Sequence, residues 1–206
     1  MRALVTGGTG FLGQWLLKRL VSENHEVRAL VRRPNESIPT SVQQFVGDVT
    51  DSNSLTPAMK SVDVVYHLAG VVGYSRAQRK TMEDVNVGGT RNVIESVISS
   101  GRPQLVHMSS VVAIGASFKP VPLNESAEYN LSHLNLGYFE TKRKAEELVK
   151  EATQSQKIRS VILNPSTIWG AGDFEKGSRK IQLLVAKGKF AVYPPGGLNI
   201  VNVESV

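Results

Sequence analysis

Cysteine is absent from all 206 residues of the sequence. That excludes a disulfide framework, a thiol nucleophile and a zinc–thiolate site, and it fits a reducing compartment. Long apolar runs are missing too: no stretch approaches the roughly 20 residues that a bilayer-spanning helix needs. After Met1-Arg2 only Ala3-Leu4-Val5-Thr6 precedes a glycine cluster, too short an apolar stretch for a secretory signal. We therefore expect a cytoplasmic protein with no membrane partner. The four histidines, His25, His67, His107 and His133, are too scattered for a metal site, and none is expected. His67 and His107 lie in apolar strands, where histidines are more often satisfied core residues than ligands.

Negative charge is in deficit, and the net charge of +6 invites a nucleic-acid reading. The basic residues are dispersed, however: Arg32-Arg33, Arg76 to Lys80, Lys142 to Lys144 and Lys176 to Lys180. Aromatics make up only 6% of the chain and do not alternate with the basic residues. Enzymes that bind phosphorylated cofactors also carry basic faces, so no nucleic-acid partner is expected.

What the chain does contain is a regular alternation. Short β-branched runs at Ala3–Thr6, Val27–Val31, Val42–Val46, Val62–Leu68, Gln104–Ser109 and Ser160–Asn164 read as strands buried on both faces. Between them lie amphipathic stretches: Leu12, Leu16 and Leu20; a turn capped by Asp51 with Leu55 and Met59; Val93, Ile94, Val97 and Ile98; and Ala145, Leu148, Val149 and Ala152. The pattern predicts an α/β fold, a doubly wound parallel sheet covered on both faces, with right-handed crossovers. Composition shifts after Trp169, where Gly170, Gly172 and Gly177 lead to a Lys-rich stretch and then Pro194-Pro195-Gly196-Gly197. We expect a nucleotide-binding domain over residues 1–169 and the start of a smaller, substrate-binding domain over residues 170–206.

Between the first strand and the first helix stands Thr6-Gly7-Gly8-Thr9-Gly10-Phe11-Leu12-Gly13. Glycine is needed there for a tight turn, for close backbone approach to a pyrophosphate and for helix–strand packing, and the phosphate then meets a helix N-terminus. An acidic residue about 20 positions further on normally holds the ribose 2′-hydroxyl of NAD. Here the second strand ends in Arg32-Arg33, which would bind a 2′-phosphate and favour NADP, with NAD possible; the bland alternative is two solvated arginines. Asp48, after the third strand, is placed to meet the adenine amino group or to cap the next helix.

Tyr138 and Lys142 stand four apart at the start of a helix and so point the same way. An ammonium, with the positive nicotinamide of an oxidised cofactor, would lower the phenol towards useful values. Ser109-Ser110 ends the fifth strand at the sheet edge where ligands bind.

Together these residues resemble the extended short-chain dehydrogenases/reductases of the NAD-dependent epimerase/dehydratase family, in the dihydroflavonol-4-reductase-like branch. Also carrying the resemblance are Gly47 to Asp51, His67-Leu68-Ala69-Gly70, Asn86 to Thr90 and Asn164-Pro165-Ser166. It implies a Rossmann fold, Tyr138 as general acid/base, Lys142 as binder of the nicotinamide ribose, Ser110 as carbonyl partner and Asn86 as the residue ordering the site. It also implies that Gly7, Gly10, Phe11, Leu12, Gly13, Asp48, Val49, Leu68, Ala69 and Gly70 line the cofactor, that Pro165 and Thr167 lie near the nicotinamide, and that the protein is a homodimer through the helices around Val93 and Ala145. Ser205 stands where the family usually has aspartate. Similar proteins continue for roughly another domain, so the sequence reads as a truncated chain with little turnover of its own. The leading expectation is an NADP-dependent ketone/alcohol oxidoreductase. The alternatives are a nucleotide-sugar epimerase or dehydratase with bound NAD, and a non-catalytic dinucleotide sensor or scaffold.

Overall fold

Six of the apolar runs become strands of one parallel sheet: β1 (Arg2–Thr6), β2 (Glu26–Val31), β3 (Gln43–Val46), β4 (Val64–His67), β5 (Gln104–Met108) and β6 (Ser160–Leu163). The computed structural model describes residues 1–117, 119, 121–172, 184–189 and 197–206. The strand order is β3-β2-β1-β4-β5-β6, and every neighbouring pair is parallel. The order reverses at β1 and β4, where Thr6 pairs with His67, and such a switch point opens a crevice at the carboxyl ends of the strands.

Helices cover both faces. α1 (Phe11–Ser22) packs with Ala3, Val5, Val27 and Ala29 on one side. On the other, α2 (Ser52–Met59), α4 (Gly89–Ser99) and α5 (Gly137–Gln154) bury Leu4, Val65 and Leu105. This is the doubly wound α/β fold that the alternation predicts. Asp51 caps α2, accepting from the Asn53 N–H at 3.0 Å.

The structure departs from the sequence reading in three places. The face of α1 that is fully buried carries Gly13, Leu17 and Leu20, not the stripe of Leu12, Leu16 and Leu20; Leu12 and Leu16 are half-buried. Glycine at the contact lets the helix sit close enough for Leu17 to become its main anchor. The edge strands are not buried on both faces: Val46 on β3 is 63% exposed and Val161 on β6 is 41% exposed, because an edge has a neighbour on one side only. Finally, α3 (Arg79–Met82) runs through a π-helical stretch, Glu83–Gly88, before α4 begins.

The chain divides into two compact units, Met1–Asn164 and Pro165–Val206. The second contains a parallel pair, β7 (Thr167–Trp169) and β8 (Ile200–Asn202), and β8 is followed by a 3-10 turn, Val203–Ser205, capped by the Asn202 side chain. Lys176 to Lys180, Gly177 and Pro194 to Gly196 lie outside the described residues. No helix among the described residues is long and apolar enough to cross a membrane.

Burial ranks the strands. Leu105 is fully buried, so Leu105→Ala is expected to cost about 2–5 kcal/mol. Val46→Ala, at the exposed edge, should stay within about 0.5 kcal/mol. Urea melts of the two variants check the contrast; equal losses would contradict this account of the core.

Candidate active site

The crevice is built first from backbone. Gly7 takes φ +75°, and a Cβ there would lie 2.7 Å from the backbone of Leu68 and Ala69. A Cβ on Gly13 would lie 2.2 Å from the Gly7 carbonyl oxygen. The turn after β1 therefore packs directly on the segment after β4, and only glycine permits either contact. The Leu68 N–H donates to Thr6 O at 3.1 Å and the Ala69 N–H to Thr6 Oγ1 at 3.2 Å, which ties the two strand ends together. Gly10 is the N-cap of α1 and provides no side-chain cap. The first N–H groups of a helix lack intrahelical acceptors and carry partial positive charge.

These residues fit a dinucleotide: an uncapped helix start at the switch point, and no carboxylate at the tip of β2. Arg32 and Arg33 follow β2 directly, and both are exposed. Phe11 and Leu12 are half-buried in the first turn of α1. Gly70 is exposed at the end of its segment, while Leu68 and Ala69 are half-buried. Of the two roles open to Asp48, capping α2 falls to Asp51 instead. Asp48 Oδ1 accepts from the Thr50 N–H and hydroxyl at 2.9 and 2.8 Å. Val49 is buried against Gly89, where a Cβ would lie 2.7 Å from its side chain. Pro165 and Thr167 belong to the second unit.

Ser109 and Ser110 diverge at the end of β5. Ser109 is buried, its hydroxyl donating to Glu146 Oε2 at 2.5 Å. Ser110 is half-buried, and its hydroxyl lies close enough to the Tyr138 phenol to act on it. Tyr138 and Lys142 share a face of α5, and Lys142 is buried with its Nζ donating to Met108 O at 2.5 Å. Burial pushes the Tyr138 phenol above the usual tyrosine value; the Ser110 hydroxyl opposes this and Tyr74 adds to it. Lowering by Lys142, as the sequence suggested, is not among the influences on the phenol: the ammonium is turned to the Met108 carbonyl. Burial brings Lys142 itself down to about 8, with the Glu146 carboxylate acting against the shift.

Asn86 lies in the π-helical stretch, 3% exposed. Its Oδ1 accepts from the Val71 N–H at 2.7 Å, and its Nδ2 donates to Val71 O and Thr141 Oγ1, both at 3.0 Å. Thr141 in turn donates to Tyr138 O at 3.1 Å. Asn86 thus orders the loop after β4 and the first turn of α5. Sequence reading missed the rest of this network: Thr90 donates to Asn86 O at 2.6 Å, and His67 bridges Thr90 and Thr6 at 3.0 and 2.8 Å. The only signal was a histidine in an apolar strand. His67 is the satisfied core residue expected; His107, its ring tilted 38° at 5.4 Å from that of His67 and equally buried, has no partner for either ring nitrogen among the described residues.

A family model described as the NAD dependent epimerase/dehydratase family matches residues 3–192. The chain belongs to this family. It is 33% identical, over 98% of its length and 60% of the relative's, to a putative dihydroflavonol 4-reductase of Synechocystis sp.. It is 31% identical, over its whole length and 63% of the relative's, to sterol demethylase protein B of Methylococcus capsulatus. The crystal structure of gox2253 superposes with a TM-score of 0.89 at 32% identity, covering 98% of this chain and 62% of that one. The chain therefore spans about three-fifths of the length of these curated relatives. The six-stranded sheet and its glycine turn are the family's dinucleotide-binding Rossmann architecture.

Two buried neutral histidines give the fold a defined acid sensitivity. Burial holds His67 at about 3 and His107 well below the ordinary 6.5. Below pH 6.5 the unfolded chain takes up protons that the folded chain refuses, so stability falls as pH drops through the window from about 6.5 towards 3. Each histidine contributes up to about 1.4 kcal/mol per pH unit. His107→Leu, which removes two unpartnered nitrogens, should reduce that slope with little loss of stability at pH 8. Urea melts across the pH range check it; an unchanged slope would exclude His107 as a contributor.

Proposed function

We propose that the protein is an NADP-dependent oxidoreductase moving hydride between the nicotinamide and a substrate carbonyl or alcohol. The observation that carries this reading is the Tyr138 phenol set beside Ser110 and on the same face of α5 as a buried Lys142, at the carboxyl edge of the sheet. The nicotinamide, when bound, supplies or accepts the hydride. Tyr138 donates its proton to the carbonyl oxygen, and Ser110 hydrogen-bonds the same oxygen. A phenol raised by burial is protonated at neutral pH, which is the form that reduction requires. Lys142, anchored by one N–H on Met108 O, keeps two others for the nicotinamide ribose. Asn86 fixes the loop and helix between which these groups stand.

Support for an NADP-linked reductase comes from the putative dihydroflavonol 4-reductase among the relatives and from the tip of β2. Arg32 and Arg33 replace the carboxylate that would grip an NAD ribose, and guanidinium groups suit a 2′-phosphate. The family match keeps a nucleotide-sugar epimerase or dehydratase with retained NAD as the second reading. Pairing of two copies through α4 and α5 is part of the same proposal.

Calorimetry should show tighter binding of NADPH than of NADH, with Arg32→Asp erasing or reversing the preference. Equal affinities in the parent chain would remove the case for NADP. In a full-length version, Tyr138→Phe should leave cofactor affinity nearly intact and cost on the order of 10²–10⁴ in ketone turnover. Turnover of nucleotide sugars with no net use of NADPH would instead establish the second reading.

A further inference from the structure

One turn beyond Lys142 on α5 stands Glu146, only 4% exposed. A carboxylate at such depth is costly unless its oxygens are saturated, and these are. Oε2 accepts from Ser109 Oγ at 2.5 Å and from Asn164 Nδ2 at 2.7 Å, and Oε1 pairs with Lys150 Nζ at 2.6 Å. Asn164 Nδ2 also donates to Ser110 O at 3.1 Å. Ser110 is therefore held from two sides: its carbonyl by Asn164, and the preceding residue by Glu146. With Lys142 bonded to Met108 O, all three residues from 108 to 110 are fastened to the helix that carries Tyr138.

We propose that Glu146 is the positioning residue of this site, holding Ser110 and Lys142 in register with Tyr138 by drawing the ends of β5 and β6 onto α5. This rests on the reading of Ser110, Tyr138 and Lys142 as the reacting set; Glu146 acts through them. Its charge also favours the Lys142 ammonium, which is bonded to Met108 O, shares a face of α5 with Tyr138 and stands near the neutral rings of His67 on β4 and His107 on β5. Around Glu146 itself stand Lys150, Ser109 and Asn164, with Glu125 lining the same groove of about 330 Å³.

In the full chain, Glu146→Gln keeps the volume and removes the charge. Ketone turnover should fall on the order of 10- to 100-fold, as for outer-shell partners elsewhere, with KM little changed. Removing a nearby negative charge disfavours an ammonium, so the alkaline limb governed by Lys142 should move to lower pH. Glu146→Asp, which restores the charge at shorter reach, should return that limb towards its parental position. A ¹⁵N titration of the Lys142 ammonium in the cofactor-free chain reads the same shift without turnover. The inference is overturned if Glu146→Gln leaves turnover and the lysine titration unchanged, or if activity falls only with the folded fraction while Lys142 titrates as before. Should the Gln variant not fold, Ser109→Ala removes one of the clamping bonds, and full activity in it would equally overturn the inference. Tyr138→Phe run alongside separates the two readings: full turnover there refutes the reacting set, whereas its loss beside a silent Glu146→Gln refutes only the positioning role.

Discussion

Hydrogen-bond direction through His67 is the constraint on which the site depends. Asn86 O can only accept, so Thr90 must spend its hydroxyl proton there. Thr90 Oγ1 then has to accept from His67 Nε2, which leaves Nδ1 as an acceptor for the Thr6 hydroxyl. Thr6 Oγ1 in turn accepts from the Ala69 N–H. One neutral tautomer satisfies every member, and burial enforces neutrality. The chain of bonds ties the glycine turn after β1 to the segment after β4 and to α4. Through the Asn86 side chain and Thr141 it reaches the backbone of Tyr138. The crevice at the switch point and the backbone of Tyr138 are therefore positioned by one framework rather than by two independent packings.

The sheet makes this possible by its register. On the face towards α4 and α5, Leu4, Val65 and Leu105 form an apolar layer, and two residues further along each strand come Thr6, His67 and His107. The core changes from apolar to polar one pleat before the carboxyl edge. Ser109 continues that polar layer towards Glu146, whereas Ser110, pointing the other way, reaches Tyr138. A single strand end thus supplies both a bond to Glu146 and a neighbour for Tyr138.

What could be read from the sequence was what is local in it. The glycines between Thr6 and Gly13 and the four-residue spacing of Tyr138 and Lys142 carry their geometry within one turn of chain. The alternation of apolar runs was likewise enough for the fold. Arg32-Arg33 was legible for the same reason, as a departure at a fixed distance from the glycines. The supports were not legible, because their partners are remote: Thr6 and His67 are 61 residues apart, and Asn86 and Thr141 are 55 apart. Nothing in the string near Glu146 distinguishes it from a solvated helix carboxylate such as its neighbour Glu147. The phase of α1 is not legible because glycine scores as neither apolar nor polar, although its lack of a side chain is what seats the helix.

The π-helical stretch from Glu83 to Gly88 has a consequence for how the sequence can vary. A wide turn of this kind holds an extra residue within an otherwise regular helix. Residues before and after it are therefore rotated relative to an uninterrupted α-helix by about 100°, the angular step of one residue. Deleting any one residue there would give a better-formed helix and a worse protein. Either Asn86 would turn away from Val71 and Thr141, or Val93 and Val97 would turn out of the core. Gaps in that segment should thus be rarer among functional descendants of this chain than in its loops, even though its local hydrogen bonding would gain from them.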